Sequence, residues 1–530
     1  MISESESLDY ADHTSTDFVS DIRRTSKELI KLLPDDVLLE IFDFYVHHTL
    51  YPWLSMKANV EGWQSLVHVC RRWRNLVLGS PCRLNLRLFC TPKTLALDVW
   101  PALPLIIAGG GDNMAVSSGT DNIIAALGQS NRVCEVHLKD LAVGQMEKVL
   151  GLMQVPFPEL TEMRLSSGDD CCVIPDSFLG GSAPRLRTLD LDGNPFPGLP
   201  TLLLSALHLV ELGLFNIPHS GYFSPETMVT LISALSSLET LLLGFKSPQS
   251  HPDWESRSLR PTKRSILPAL DHFLFKGVTE YLEDLATRID TPQLGHMGII
   301  FFNEIDFDCP RVAQFINRTA TLGAVHKAHV QFDDSTVMFG LSNLPNSMSK
   351  LDIRDASALG YNNQLMISIS CSEPDWQLSS IGQVCNSFES MHCLSTVEDL
   401  VINHRYSQLV WKDDAIDDSQ WSELLLPFTA VKDLHLSKES APGVAAALQE
   451  LVGDRITEVL PNLQNIFVDD LQAWGPFQEN IGQFPLARRH SGHPIAISAR
   501  LTANGVLAQQ HRRKLWTLPR EPVEQSGVLS

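Results

Sequence analysis

The chain has 530 residues, 44% of them hydrophobic, with 62 acidic against 41 basic side chains and a formal net charge of -21. That length holds more than one structural unit or one long repetitive one. The acid excess argues against general binding to nucleic-acid phosphate or to an anionic membrane surface, and the longest apolar runs, Ala102–Ala108 and Leu202–Leu204, fall far short of the ~18 residues that span a bilayer.

Residues 1–27 are rich in Ser, Asp, Glu and Thr, a composition that buries too little apolar surface to offset its ordering entropy, so a flexible acidic tail is expected. This stretch has neither the apolar core of a secretory signal nor the arginines of a transit peptide. Ten cysteines without regular spacing fit a reducing compartment, cytoplasmic or nuclear.

Leu32–Val46 reads LLPDDVLLEIFDFYV. Pro34 suits the first turn of a helix, and Asp35 and Asp36 complement its dipole. Val37, Leu38, Ile41, Phe42 and Tyr45 recur at helical spacing, and Leu39, Phe44 and Val46 widen the apolar surface. A helix apolar on most sides needs cover on two of them, one within its own domain and one from elsewhere. After a connection, His47–Gly62, a second helix is predicted with Trp63, Leu66, Val67, Cys70, Trp73 and Val77 on one face and Arg71, Arg72 and Arg74 giving a basic, solvated side; Gly79-Ser80-Pro81 stops it. Leu84, Leu86 and Leu88 then alternate with polar residues, a strand signal.

These residues resemble an F-box: Leu33-Pro34, then Ile41-Phe42, then Leu66-Val67 and Val69-Cys70-Arg71-Arg72-Trp73, over about residues 28–80. The wording through WRNLVLGSPCRLNLRL looks like the large expanded group of F-box proteins in mushroom-forming fungi. The connection His47–Gly62 is longer than in a compact F-box. The resemblance implies a subunit of a cullin-RING ubiquitin ligase that docks on a Skp-type adaptor, with Leu33, Pro34, Ile41, Phe42, Val69, Cys70 and Trp73 as the adaptor-binding residues.

From about residue 131 to 470 a unit of the form apolar-x-x-apolar-x-apolar recurs. It runs through Val133-Val136-Leu138, Leu160-Met163-Leu165, Leu186-Leu189-Leu191, Leu209-Leu212-Leu214, Leu238-Leu241-Leu243, Leu270-Phe273-Phe275 and Leu294-Met297-Ile299. Weaker copies are Met348-Leu351-Ile353, Val397-Leu400-Ile402, Val431-Leu434-Leu436 and Leu463-Ile466-Val468. The spacing lies in or near the ~20–29 residues of leucine-rich repeats. Degenerate copies are expected near Leu322–Val330 and at Leu365-x-Ile367-x-Ile369. Several units are introduced by a Pro and a helix-compatible stretch, as in PFPEL, SAPRL and DTPQL.

The expected fold is therefore α/β: a small helical F-box at 28–80, a connecting strand and cap at 81–130, and an irregular leucine-rich-repeat solenoid at 131–470. The solenoid is expected as a horseshoe with parallel strands on its concave face, its leucines inward. The repeat fades beyond about Asp470, and 471–530 is expected to form a C-terminal cap and a mobile tail; residues 488–530 carry seven basic and two acidic side chains.

The alternate strand residues become the substrate-binding candidates: Arg164, Asp190, Phe215, Leu242, Lys276, Ile300, Arg354, Asn403, His435 and Phe467. Their mixed charge and apolarity suit a protein or peptide and not a polyanion.

Catalytic and metal motifs are not found. Gly109-Gly110-Gly111-Asp112 lacks the phosphate-binding continuation and is expected as a loop. Cys171-Cys172, and His392-Cys393 with Cys385 and Cys371, match no zinc spacing, and Asp413–Asp418 lacks the calcium-loop glycine. No enzyme activity, cofactor or metal is expected. The rival readings are a ligase-independent scaffold and an enzyme with its site between Thr319 and Val431.

Overall fold

The computed structural model describes residues 32–48, 62–92, 101–110, 117–167, 172–248, 263–302, 307, 309–323, 325–343, 363–371, 373–388, 394–404, 418–451, 453–469, 477, 479 and 481–500. The expected tails, the connection at 49–61, the unit Met348-Leu351-Ile353, Arg354, His392-Cys393 and Asp413–Asp417 lie outside these residues. The chain divides into two units, Met1–Val136 and His137–Ser530.

The first unit opens with α1 (Asp35–His48), α2 (Gly62–Val67) and α3 (Arg71–Gly79). The helix expected to run from Trp63 to Val77 is broken. Cys70 adopts an extended backbone (φ -160°, ψ 170°), and its Sγ accepts a hydrogen bond from the Trp73 N–H at 3.5 Å, capping α3. The strand expected from Leu84 begins only at β1 (Leu88–Cys90). Before it the chain turns: the Leu84 N–H reaches the Ser80 carbonyl and Leu86 that of Pro81, with Asn85 left-handed at φ 46°. Leu84 and Leu86 are buried as expected, but in a turn whose carbonyls satisfy their N–H groups. β1 pairs in parallel with β2 (Leu105–Gly110), so Gly109 and Gly110 close a strand where a loop was expected. α4 (Ser117–Leu127) follows, and β3 (Val133–Leu141) crosses the division.

The second unit is a mixed α/β leucine-rich-repeat solenoid. Its parallel strands β4 (Glu162–Ser167), β5 (Thr188–Asp192), β6 (Glu211–Ile217), β7 (Thr240–Phe245), β9 (His272–Gly277) and β11 (His296–Phe301) pair side by side. A pair, β8 (Ser265–Ile266) with β10 (Ile289–Asp290), stands apart. Each predicted unit places its last two apolar residues on a strand: Met163 and Leu165, Leu189 and Leu191, Leu212 and Leu214, Leu241 and Leu243, Phe273 and Phe275, Met297 and Ile299 are all buried.

In several units the first apolar residue ends the turn before its strand. In Phe157–Leu160, Ala183–Leu186, Thr291–Leu294 and Leu460–Leu463, the N–H of the final Leu reaches the carbonyl three residues back. The second residue of each is Pro, whose fixed φ suits that position of a tight turn. The prolines thus mark turns in the strand approach, not helices. A second device repeats at the starts of β5, β6, β7, β9 and β11: one carbonyl accepts two N–H groups from the next strand, as Arg187 does from Val210 and Glu211, and Glu239 from Asp271 and His272.

Return segments between strands carry α5 (Val143–Leu152), α6 (Leu199–Ser205), α7 (Pro225–Ile232), α8 (Thr279–Arg288), α9 (Pro310–Arg318), α10 (Pro374–Ser387), α11 (Asp418–Leu425), α12 (Ala441–Gln449) and α13 (Phe484–His490). Neighbouring returns are stitched by polar side chains. The Glu283 carboxylate on α8 accepts the Arg311 and Val312 N–H groups that open α9, and the buried Arg488 donates to the carbonyls of Ile456, Leu460 and Pro461.

The expectation of uniformly parallel strands fails in one place. The order continues from β11 to β14 (Leu365–Ser370), then β13 (Thr336–Ser342), β12 (Lys327–Phe332) and β15 (Asp399–His404). β13 runs antiparallel to both its neighbours. β12 and β13 form a hairpin closed by the Asp333 N–H on the Thr336 carbonyl at 2.8 Å. β14 and β12 are the strands expected at Leu365-x-Ile367-x-Ile369 and near Leu322–Val330. The parallel pattern resumes through β16 (Asp433–Leu436), β17 (Asn465–Asp469) and β18 (Ala496–Arg500). The ladder therefore extends past Asp470, where leucines no longer mark it.

Candidate protein-docking surfaces

In the first unit, α1 is amphipathic in an unusual sense, because both of its faces are apolar. Leu38, Leu39 and Phe42 point into the unit, with the Phe42 ring 4.7 Å from that of Trp73. Pro34, Val37, Ile41, Phe44 and Tyr45 are exposed, Ile41 at 47% and Phe44 at 67%. Their spacing of three, four and seven residues puts them along one side of the helix. Val69 (59% exposed) and Cys70 lie exposed at the break between α2 and α3.

Arginine side chains fix this arrangement. The Arg72 guanidinium bonds Asp35 Oδ1 (2.9 Å from Nε) and the Leu33 carbonyl (2.5 Å), tying α3 to the start of α1. Arg83 pairs with Glu40. Arg74 donates to the Val67 carbonyl at 3.0 Å, across the helix break. The basic side of α3, expected as a solvated face, is exposed at Arg71 and Arg74, and Arg72 and Arg74 bond within the unit as well.

Of the seven adaptor-binding candidates, Pro34, Ile41, Val69 and Cys70 are accessible, Leu33 and Trp73 are half-buried, and Phe42 is wholly internal. The exposed Val37, Phe44 and Tyr45 were not among them. The same helical spacing that flagged Ile41 carried their signal.

In the second unit, the residues between the buried stripes face away from the helices. Register sorts the substrate candidates into two rows. Arg164, Asp190 and Leu242 share a row with Gly213, Leu274 and Gly298; His435 and Phe467 are paired to each other further on. Lys276, Ile300 and Asn403 belong to the next row, with Ser368, Met338 and Gln331 between them. Phe215 pairs with Asp192 at a bulge whose Asn216 is left-handed (φ 47°), and Asn216 Nδ2 donates to Asp192 Oδ1 at 2.7 Å.

Arg164 is the centre of a charge cluster. It meets Glu162 at 2.7 Å, Asp190 at 2.7 Å and Glu211 at 3.4 Å. Burial pushes the Asp190 carboxyl up to about 6, against the opposing pull of Arg164, and Glu211 and Glu162 push the same way as burial. Burial also holds the His137 imidazole, 3.7 Å from Glu162, below its usual value. Gly213 makes room for this cluster, since a Cβ there would stand 2.2 Å from Asp190 Oδ1 and 2.9 Å from the Phe215 ring.

Elsewhere Lys276 Nζ stands 5.8 Å from the centre of the Phe302 ring, and the His435 and Phe467 rings stack at 4.6 Å. His329 Nε2 donates to Asn403 Oδ1 at 3.0 Å. Glu162, Asp192 and Glu211 escaped the sequence reading because it sampled one outward position per strand, whereas each strand offers two or three.

The fold defines a leucine-rich-repeat protein. No family model matches the chain, and no curated protein sequence matches it. Among solved structures, the leucine-rich repeat-containing protein LegL7 from Legionella pneumophila is similar at a TM-score of 0.25 and 12% identity, over 66% of this chain and 91% of that one. The Rad7 and Elc1 complex in yeast gives a TM-score of 0.24 and 12% identity, over 87% of this chain and 93% of that one. At these scores the likenesses carry no argument, and the functional reading rests on the chain itself.

Proposed function

We propose that this chain is the substrate-recognition subunit of a Skp–cullin–F-box ubiquitin ligase, with residues 28–80 as its F-box and the repeat sheet as its substrate grip. The observation that carries the reading is the second apolar face of α1. Pro34, Val37 and Ile41 stand exposed on a helix whose other face is already packed, and Val69 and Cys70 stand exposed nearby in the same unit. Leaving such groups in water forgoes ~1.5–3 kcal/mol for each large side chain that a partner would bury, and a few anchors suffice for a stable interface. In this reading the receptor does no chemistry; it holds a substrate near the ubiquitin-transfer machinery.

The test is co-expression of the full chain with a fungal Skp-type adaptor. Co-purification is expected, with affinity lowered at least about tenfold by Ile41→Asp or Val69→Asp and the fold retained. Failure of the wild-type chain to co-purify with the adaptor would end the proposal. Co-precipitation of a cullin separates a working ligase subunit from a ligase-independent scaffold.

A further inference from the structure

The outward face of β4–β11 is graded in chemistry. On β4, β5 and β6 the carboxylates of Glu162, Asp190, Asp192 and Glu211 stand against a single cation, Arg164. Arg164 already bonds three of them. Among the described residues Asp192 receives only neutral donors, Asn216 Nδ2 at 2.7 Å and Ser166 Oγ at 3.2 Å. Even with Lys139 and His137 on the neighbouring β3, the carboxylates outnumber the permanent cations, and among the described residues Asp190 Oδ1 is buried without a hydrogen-bond partner.

Along the same sheet the character changes. Leu242 and Leu274 are half-exposed and paired side by side, flanked in their row by Gly213 and Gly298, and half-exposed Ile300 lies in the next row, so the surface is largely apolar. Lys276 stands among them, paired with Gly244 on one side and Ile300 on the other. A polyanion is repelled by the first part. A purely apolar ligand would desolvate carboxylates that it could not pair, which is costly.

We propose that this face docks a protein segment carrying lysine or arginine beside apolar side chains. Its cation completes the under-neutralised carboxylates of β4–β6, and its apolar groups settle over Leu242, Leu274 and Ile300. The inference deepens the substrate-receptor reading and rests on it for the sheet being a grip. Charge complementarity selects the occupant, and the chain's net charge of -21 draws cationic segments toward it from a distance.

The experiment pans a random peptide library displayed on phage over the immobilised full-length chain, with an unrelated protein of similar acidity as control. Enriched peptides are expected to carry Lys or Arg next to Leu, Ile or Phe. The basic preference should fall to the control level for the double variant Asp192→Asn with Glu211→Gln. Leu242→Ser should weaken the apolar preference and leave the basic one. Thermal melts confirm that each variant folds. Should a variant not fold, selection on the wild-type chain at ~0.5 M salt serves instead, since screening must erase the basic preference.

Enrichment no better than the control, peptides without a basic preference, or a preference that survives the double variant or the salt each overturns the inference. Adaptor co-purification is measured on the same preparations. Its failure sinks the ligase reading, while a peptide failure with adaptor binding intact sinks only this one.

Discussion

Two stretches of the same sheet treat their outward face differently. Along β4–β11 every pairing is parallel, and the outward row is half-exposed. Around β14, β13, β12 and β15 one strand is reversed, and two outward polar residues are buried, Ser368 at 7% and Gln331 at 0% exposure, while His329 and Asn403 beside them are half-buried. The first stretch has one core and one working surface. The second buries part of its outward face as well, at Ser368 and Gln331, and carries the cost of polar groups there.

The largest expected effect tests the first half of this contrast. Leu241 and Leu242 are neighbours on β7 with nearly the same local sequence, yet Leu241 is fully buried and Leu242 is not. Leu241→Ala should cost ~2–5 kcal/mol through lost transfer energy and a cavity, whereas Leu242→Ala should cost about 1 kcal/mol or less. Urea denaturation of the two variants decides it. Similar losses would mean that the outward row of β4–β11 is also core, and the contrast would collapse.

Acidification should separate the stretches by sign. Burial pushes His329 and His404 down to about 4, below the ~6.5 of an unfolded chain. Each contributes stability fully present above about pH 6.5 and lost as pH falls toward about 4, on the order of 3 kcal/mol at the limit. Asp190 runs the other way. Its folded value of about 6 lies above that of the unfolded carboxyl, so protonation favours the folded state between about pH 6 and about pH 4. Hydrogen exchange, corrected for intrinsic rates, should show protection falling in β12 and β15 over that window while β4–β6 holds or gains. Asp190→Asn should abolish the gain. Equal loss in both stretches would show that the local environments do not set the response.

The inward face was legible in the sequence almost residue by residue, because a period of two along each strand and a leucine at the preceding turn are dictated by burial alone. The antiparallel hairpin was not, although its signal was present. Asp333-Asp334-Ser335 is a turn cluster between two alternating runs, but a spacing template tuned to leucine units passes over it. Strand partners are set by tertiary pairing, so nothing local announced that β14 would lie beside β11. On α1 the pattern identified every apolar residue without telling Phe42 from Ile41. Both are hydrophobic, and only the packing of α2 and α3 decides which is covered.

The smallest effect probes the buried part of that outward face directly. Neither amide atom of Gln331 has a hydrogen-bond partner among the described residues, and the side chain is fully buried between Met338 and Asn403 in the pairing register. An unsatisfied carboxamide in such a place costs about 1–3 kcal/mol relative to an apolar group of the same shape. Gln331→Met keeps the chain length, drops the terminal fork and removes both polar atoms, so it should raise stability by about 1–2 kcal/mol. The urea midpoint should shift upward at constant slope, which assigns the change to stability and not to the extent of unfolding. Asn403→Leu, one strand away in the same row, should do the reverse, because it strips His329 of its acceptor. If Gln331→Met destabilises the chain instead, the carboxamide is answering a polar group, and the second stretch does not carry the buried polar cost that distinguishes it from β4–β11.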